Sequence, residues 1–204
     1  MSQQPENPPP APSPTISEPN KSCGEFSAEE RKILVAFAHE SLAAYFEHRE
    51  LSFEPPTPHL AQQRGVFTTL YLQGQLRGCV GYIFPVASVY QTVAETARAA
   101  AFEDTRFFPV TEKELPQLTV HLSILSELRA IEAHAVEIGR HGLLVSWGGR
   151  RGLLLPQVAV ENKWDRVTFL EQTCRKAGLP LDAWKKGATL ECFTAELFGD
   201  SDLH

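Results

Sequence analysis

Apolar positions recur at helical spacing in three stretches of the chain and alternate at strand spacing in several others. The two kinds do not follow one another as regular β-α-β units. Ile33, Leu34, Phe37, Leu42, Tyr45 and Phe46 recur on roughly one helical face, leaving the other solvated. Ser27 precedes this run and Glu30 follows three residues later, a pairing in which hydroxyl and carboxylate each accept from the other's backbone amide. A helix starting at Ser27 is therefore predicted. Ser88 to Glu103 reads as a second helix, with Val89, Val93, Ala97, Ala100 and Ala101 on a buried side small enough for close packing. A third carries Val167, Leu170, Cys174 and Ala177 behind a candidate cap at Asp165, and stops at Gly178 with Pro180 beyond. Thr111 and Glu114 repeat the reciprocal cap before a short helix ending near Pro116.

The strand pattern begins at Gly65. Val66 to Leu72 is rich in β-branched and aromatic residues, Gln73-Gly74-Gln75 supplies a turn, and a second limb starts at Leu76. Leu118, Val120, Leu122 and Ile124 alternate with Thr119, His121 and Ser123, which marks a sheet with one apolar face and makes His121 a partly solvated strand residue. Leu143, Val145 and Trp147 lead into Gly148-Gly149-Arg150-Arg151-Gly152, a hairpin loop, and Leu153 to Leu155 returns. Leu190 to Phe198 forms one last strand. The expected class is α+β, mainly antiparallel sheet flanked by helices.

Residues 1–22 hold seven of the fifteen prolines and one large apolar residue beyond Met1. Such a stretch buries too little surface to offset chain entropy, so a disordered tail is predicted over 1–22 and a folded unit over 23–204. That length suits one domain or two intimate subdomains. A basic start followed by an apolar run is missing, as is a run of about 18 apolar residues, so a soluble chain is expected. Net charge is −6, and Lys and Arg are dispersed along the sequence. This speaks against a general nucleic-acid or anionic-membrane surface and leaves room for a local basic pocket; with no aromatic-basic platform visible in the sequence either, a nucleic-acid partner is not expected. Cysteines at 23, 79, 174 and 192 make neither a C-x-x-C pair nor an iron-sulfur triad, which fits a reducing cytoplasm.

The stretch with the clearest chemical content is Leu76-Arg77-Gly78-Cys79-Val80-Gly81. Two glycines inside a strand mark a bulge or a close approach by a backbone or ligand. Period two puts Arg77, Cys79, Gly81 and Ile83 on one face, so the thiol shares its face with a guanidinium, a neighbour that favours the nucleophilic thiolate. The plain alternative is a small packed core residue. Asp104 and Arg106 follow the second helix in a Pro-ended loop, where they either wall a cleft or tie down a turn. His141, between Gly139 and Gly142, is a candidate base for Cys79 or a turn residue. Cys79 and His141 are too few ligands to specify a metal, and Glu161 is a carboxylate without a visible partner.

The segment LRGCVG resembles the LRGCIG signature of the AMMECR family, and further matching blocks follow in order. These are Gly65-Val66-Phe67-Thr68-Thr69-Leu70, Asp104-Thr105-Arg106-Phe107-Phe108-Pro109, Gly139-Arg140-His141-Gly142-Leu143, Leu155-Pro156-Gln157-Val158-Ala159 and Lys176-Ala177-Gly178-Leu179, spanning about residues 27–198. Bacterial members resembling this chain form the AmmeMemoRadiSam system protein A group, found beside a Memo-like protein and a radical S-adenosylmethionine protein. The resemblance implies a larger subdomain from the two chain ends, a smaller one from the middle, and a cleft between them. It implies those two proteins as partners, assigns the radical chemistry to one of them, and specifies neither a reaction nor a cofactor for this chain. Val80 and Tyr82 depart mildly from the commonest signature, which bears on pocket shape. Two functions follow. One is an enzyme with Cys79 as nucleophile, His141 moving protons, and Arg77, Gly78, Gly81, Asp104 and Arg106 around the substrate. The other is a binding module for a small molecule, a modified peptide or a partner, in which Gly78 and Gly81 admit a ligand's backbone or ring.

Overall fold

The computed structural model describes residues 24–84 and 87–203; the segment 1–22, the subject of the tail prediction, and Cys23 lie outside them. Helix α1 (Ala28–Phe46) starts where its cap demands. The Glu30 N–H donates to Ser27 Oγ at 3.2 Å, and the Ser27 N–H donates to Glu30 Oε2 at 3.0 Å. Strands β1 (Val66–Leu72) and β2 (Gln75–Tyr82) form the first hairpin. Helix α2 (Val89–Phe102) follows from the cap Ser88, and a 3-10 turn over Glu112–Gln117 leads into β3 (Leu118–Leu125). Beyond these lie β4 (Arg129–Ala130), β5 (Gly142–Trp147), β6 (Arg150–Leu154), α3 (Pro156–Glu161), α4 (Arg166–Lys176), β7 (Thr189–Phe193) and β8 (Ala195–Gly199).

Two four-stranded antiparallel sheets result, in the orders β2-β1-β3-β8 and β4-β7-β5-β6. The larger lobe joins the two ends of the chain, and the smaller is cut from the middle. In the first sheet Val66 and Leu70 from β1, with Val120, Leu122 and Ile124 from β3, point into one core. Leu34, Ala38 and Leu42 of α1 and Val93, Ala97 and Ala100 of α2 close over them. Removing this apolar surface from water is the main favourable term holding the lobe together. One polar pair is buried there and satisfied, the Thr68 and Thr96 hydroxyls at 2.8 Å. In the second sheet Leu143 packs with Ala159, Phe169 and Leu170, and Val145 with Cys174 and Ala183. Cys174 is thus a core residue, as its helical stripe predicts.

The expected single strand over Leu190–Phe198 is two strands, β7 and β8, which belong to different sheets. The joint lies at Thr194, whose carbonyl accepts the Ser126 N–H at 2.9 Å while its own N–H donates to Ser126 Oγ at 3.0 Å. Both chain crossings between the lobes pass through this pair. Strand-forming residues run on across the joint, with Cys192 and Phe193 adjacent and both apolar, so composition alone does not place the break. Helix α3 is likewise unannounced: it is only six residues long, with Pro156 at its first position where a missing N–H costs nothing.

Candidate functional site

Cys79 lies on β2, an edge strand of the first sheet, directly opposite Thr69 of β1. Its backbone does not face β1. The Cys79 N–H donates to Asp104 Oδ2 at 2.9 Å, and its carbonyl accepts from Arg106 Nη2 at 3.4 Å. A pair oriented in this way brings its two side chains close, and the Thr69 hydroxyl donates to Cys79 Sγ at 3.3 Å. Asp104 and Arg106 together imitate the strand that β2 lacks on that side, one accepting and one donating. Such a cap blunts an edge that would otherwise pair with another chain.

The cap is rigid. Arg106 donates to Asp104 from Nε at 2.9 Å, from Nη2 at 2.7 Å and from its backbone N–H at 3.2 Å. The Asp104 side chain is only 6% exposed, whereas that of Arg106 is 57% exposed. Those Arg106 hydrogen bonds, helped by the Cys79 amide, hold the Asp104 carboxyl well below the usual carboxylate range. Asp104 is therefore a permanent anion spent on holding Cys79. The loop at the end of α2 delivers both residues, as the sequence suggests, and its role is to fix the cysteine backbone.

Arg77 departs from the expected pattern. Leu70 pairs with Gly78 and Tyr71 with Leu76, so Arg77 is the extra residue of a β-bulge, and the strict alternation that puts Arg77 and Cys79 on one face is broken there. The bulge aims its guanidinium at Glu114, with Nε to Oε1 at 2.8 Å and Nη2 to Oε2 at 3.2 Å, and at the carbonyls of Phe108 and Pro109, at 2.8 and 3.2 Å. These bonds pull the Glu114 pKa down from 4.5 to about 2. Arg77 is thus a clamp on the 104–109 loop, and the guanidinium that touches Cys79 is that of Arg106.

The two glycines of the motif admit atoms of this chain. A Cβ on Gly78 would stand 2.0 Å from the Ala100 carbonyl oxygen, so Gly78 is what lets α2 lie against the sheet. A Cβ on Gly81 would stand 2.1 Å from the ring of Phe67, its partner across the strands. Gly142 repeats this device under Phe193 in the second sheet. The ring and the backbone that the sequence leaves to a ligand are Phe67 and α2.

The AMMECR1 family model matches residues 35–198, which takes in every residue of the Cys79 site. This chain belongs to the AMMECR1 family. Among similar AMMECR1 relatives, Protein Mbar_A1807 of Methanosarcina barkeri is 42% identical over 178 residues, covering 84% of this chain and 87% of that protein. Protein MK0488 of Methanopyrus kandleri is 37% identical over 190 residues, covering 87% and 92%. The crystal structure of the uncharacterized protein PH0010 from Pyrococcus horikoshii superposes with a TM-score of 0.70 at 36% identity, covering 87% of this chain and 94% of that one.

Within the AMMECR1 fold the remaining candidates are placed as follows. His141 sits in the loop before β5, in the smaller lobe, and its Nδ1 accepts the Glu137 N–H at 3.1 Å. Burial pushes its pKa down. Among the described residues no hydrogen bond joins His141 to Cys79, and no group of three or more His, Cys, Asp or Glu side chains could hold a metal ion. The histidine that shares the Thr69 row is His121, opposite Thr69 on β3. Thr69 and Glu114 are the site residues that sequence reasoning passes over. Thr69 is not legible from the hairpin, because a plain register from Leu72 opposite Gln75 sets Thr68 against Cys79 and only the bulge moves Thr69 there; the Thr111 capping box already contained Glu114. Two depressions, of about 490 and 270 Å³, lie in the smaller lobe, one at Trp184 and one at Trp147. Cys79 lines neither. None of the helices among the described residues is long and apolar enough to cross a membrane.

Proposed function

We propose that this AMMECR1 domain works through Cys79 as a nucleophilic thiol on an open surface, acting on a group presented by a partner protein. The observation that carries this reading is the convergence of Thr69, Asp104 and Arg106 on one half-buried cysteine, touching its sulfur, its amide and its carbonyl. A cysteine used only to fill a core needs none of these. The exposed guanidinium of Arg106 suits an anionic portion of the substrate. Half-buried on an edge strand of the first sheet, the thiol suits a substrate carried on a macromolecule better than a buried small molecule. The Memo-like protein and the radical S-adenosylmethionine protein of the bacterial systems are the partners proposed.

The test is timed alkylation of the folded chain with iodoacetamide, read by mass spectrometry. Burial pushes the Cys174 and Cys192 thiols up, so both serve as slow internal references. Cys79 is expected to label before both, and Thr69→Val to slow it. A Cys79 that labels only in denaturant overturns the proposal.

A second reading, a non-catalytic binding module, is favoured by Phe108. Its backbone carbonyl is clamped by Arg77, yet its side chain is 91% exposed. A rigidly held, exposed ring is the kind of anchor that dominates protein interfaces. Under this reading a partner complex survives Cys79→Ser and is lost in Phe108→Ser; the cysteine reading is favoured by a complex that forms in both while its chemistry stops only in Cys79→Ser.

A further inference from the structure

We propose that the hairpin end of the smaller lobe binds single-stranded nucleic acid, contacting its phosphates with a gathered set of cations and stacking a base on Trp147. This surface is independent of Cys79. Along the sequence the cations are dispersed, but the fold collects three separate segments. The β5-β6 hairpin brings Arg150 and Arg151, the end of α4 brings Arg175 and Lys176, and the turn before β7 brings Lys185 and Lys186; all six are exposed. Arg150 Nη1 donates to the Gly178 carbonyl at 2.8 Å, tying the hairpin to the end of α4. Gly152 lies so near that a Cβ there would stand 2.2 Å from the Ala177 nitrogen. Ser146 pairs with Thr189, which brings the third segment alongside.

The segment that forms the smaller lobe is net basic. Residues 126–194 hold ten Lys and Arg against eight Asp and Glu, in a chain whose net charge is −6. Residues 142–160 contain no acid at all. Of the six cations, Lys186 is paired, with Asp182 at 2.7 Å. Because salt screens charges over about 8 Å at physiological ionic strength, this local excess and not the overall balance governs what docks here.

Trp147 supplies the second element. It is 41% exposed beside Gly148 and Gly149, which raise no side chains around it. With Arg150, Arg151, Gly187 and Thr189 it lines the depression of about 270 Å³. Phe84, also exposed, carries the Arg151 guanidinium 5.8 Å from its ring centroid. Aromatic faces interleaved with cations bind unpaired bases with little regard to sequence, because every base has a π face and every nucleotide a phosphate.

The experiment is a fluorescence-anisotropy titration of a labelled oligothymidylate with the full chain at low and at physiological salt. Binding is expected, weakening with salt at a log-log slope of about −0.7 per phosphate contacted. Trp147→Ala is expected to lower affinity at least about five-fold. The double variant Arg151→Gln, Lys185→Gln is expected to flatten the salt slope, and both variants alter exposed side chains, so circular dichroism should match the parent chain. No binding at low salt overturns the proposal. So does an unchanged affinity in Trp147→Ala, or competition by polyglutamate equal to that by unlabelled oligonucleotide, which would make the patch a dock for an acidic protein.

Discussion

The carboxylate of Asp104 accepts the backbone N–H of Cys79 at 2.9 Å from the position that a neighbouring strand's carbonyl would take. Replacing Asp104 with Ala strands that amide and frees the Arg106 guanidinium. A loss of about 1–3 kcal/mol is expected in urea unfolding. Asp104→Asn keeps an acceptor but loses the charge, so it should fall between Ala and the parent chain. If the cap also positions the thiol, both variants change the rate of Cys79 alkylation.

Glu114 contributes an acid-sensitive share of stability. Its pKa falls from 4.5 to about 2 through the Arg77 hydrogen bonds, so the folded chain binds fewer protons than the unfolded chain across that interval. The contribution is fully present above pH 4.5 and is lost as pH drops toward 2. Glu114→Gln is expected to destabilise at neutral pH by about 2 kcal/mol and to show a flatter stability profile between pH 4.5 and 2. Equilibrium urea curves at several pH values measure both.

Gly78 and Gly81 should tolerate a methyl group very differently. The Gly78 Cβ would meet backbone, the Ala100 carbonyl, and α2 cannot withdraw without opening the core. Gly78→Ala is therefore expected to cost more than about 3 kcal/mol or to prevent folding. The Gly81 Cβ would meet the Phe67 ring, which can swing aside, and a cost of about 1 kcal/mol is expected. Midpoints of thermal or urea unfolding separate the two.

His141 should behave as a neutral turn acceptor. Protonation would charge a partly buried ring and replace the Nδ1 lone pair that the Glu137 N–H uses. Because its folded pKa lies below the ordinary 6.5, its contribution is complete above that pH and declines as pH falls. Parent stability should drop through this window by more than that of His141→Gln. Alkylation of Cys79 is expected to be the same in both.

Much of the fold can be read from local chemistry. Ser27 with Glu30, Ser88 and Asp165 mark their helices because a cap is a contact within three residues. Alternation marks β1 and β3 because one face of their sheet is buried, and Gly148-Gly149 marks the β5-β6 turn. The joint at Thr194 escapes notice, since both flanking segments are strand-like in composition and only their pairing partners differ. The bulge at Arg77 escapes for the same reason: an inserted residue changes register against β1, which period alone does not record.

The sequence by itself determined the α+β class, the helix starts, the AMMECR resemblance and the stretch around Cys79, because each depends on residue types a few positions apart. Only the tertiary structure decided what those residues touch. It gave Arg77 to Glu114 and the loop carbonyls, gave the Cys79 amide to Asp104 and its sulfur to Thr69, and filled the glycine gaps with Phe67 and α2. It also brought the β5-β6 hairpin, the end of α4 and the turn before β7, each with exposed cations, alongside one another in a net acidic chain. Partners this far apart in sequence meet through strand pairing and helix packing, and those depend on how the whole chain buries its apolar surface.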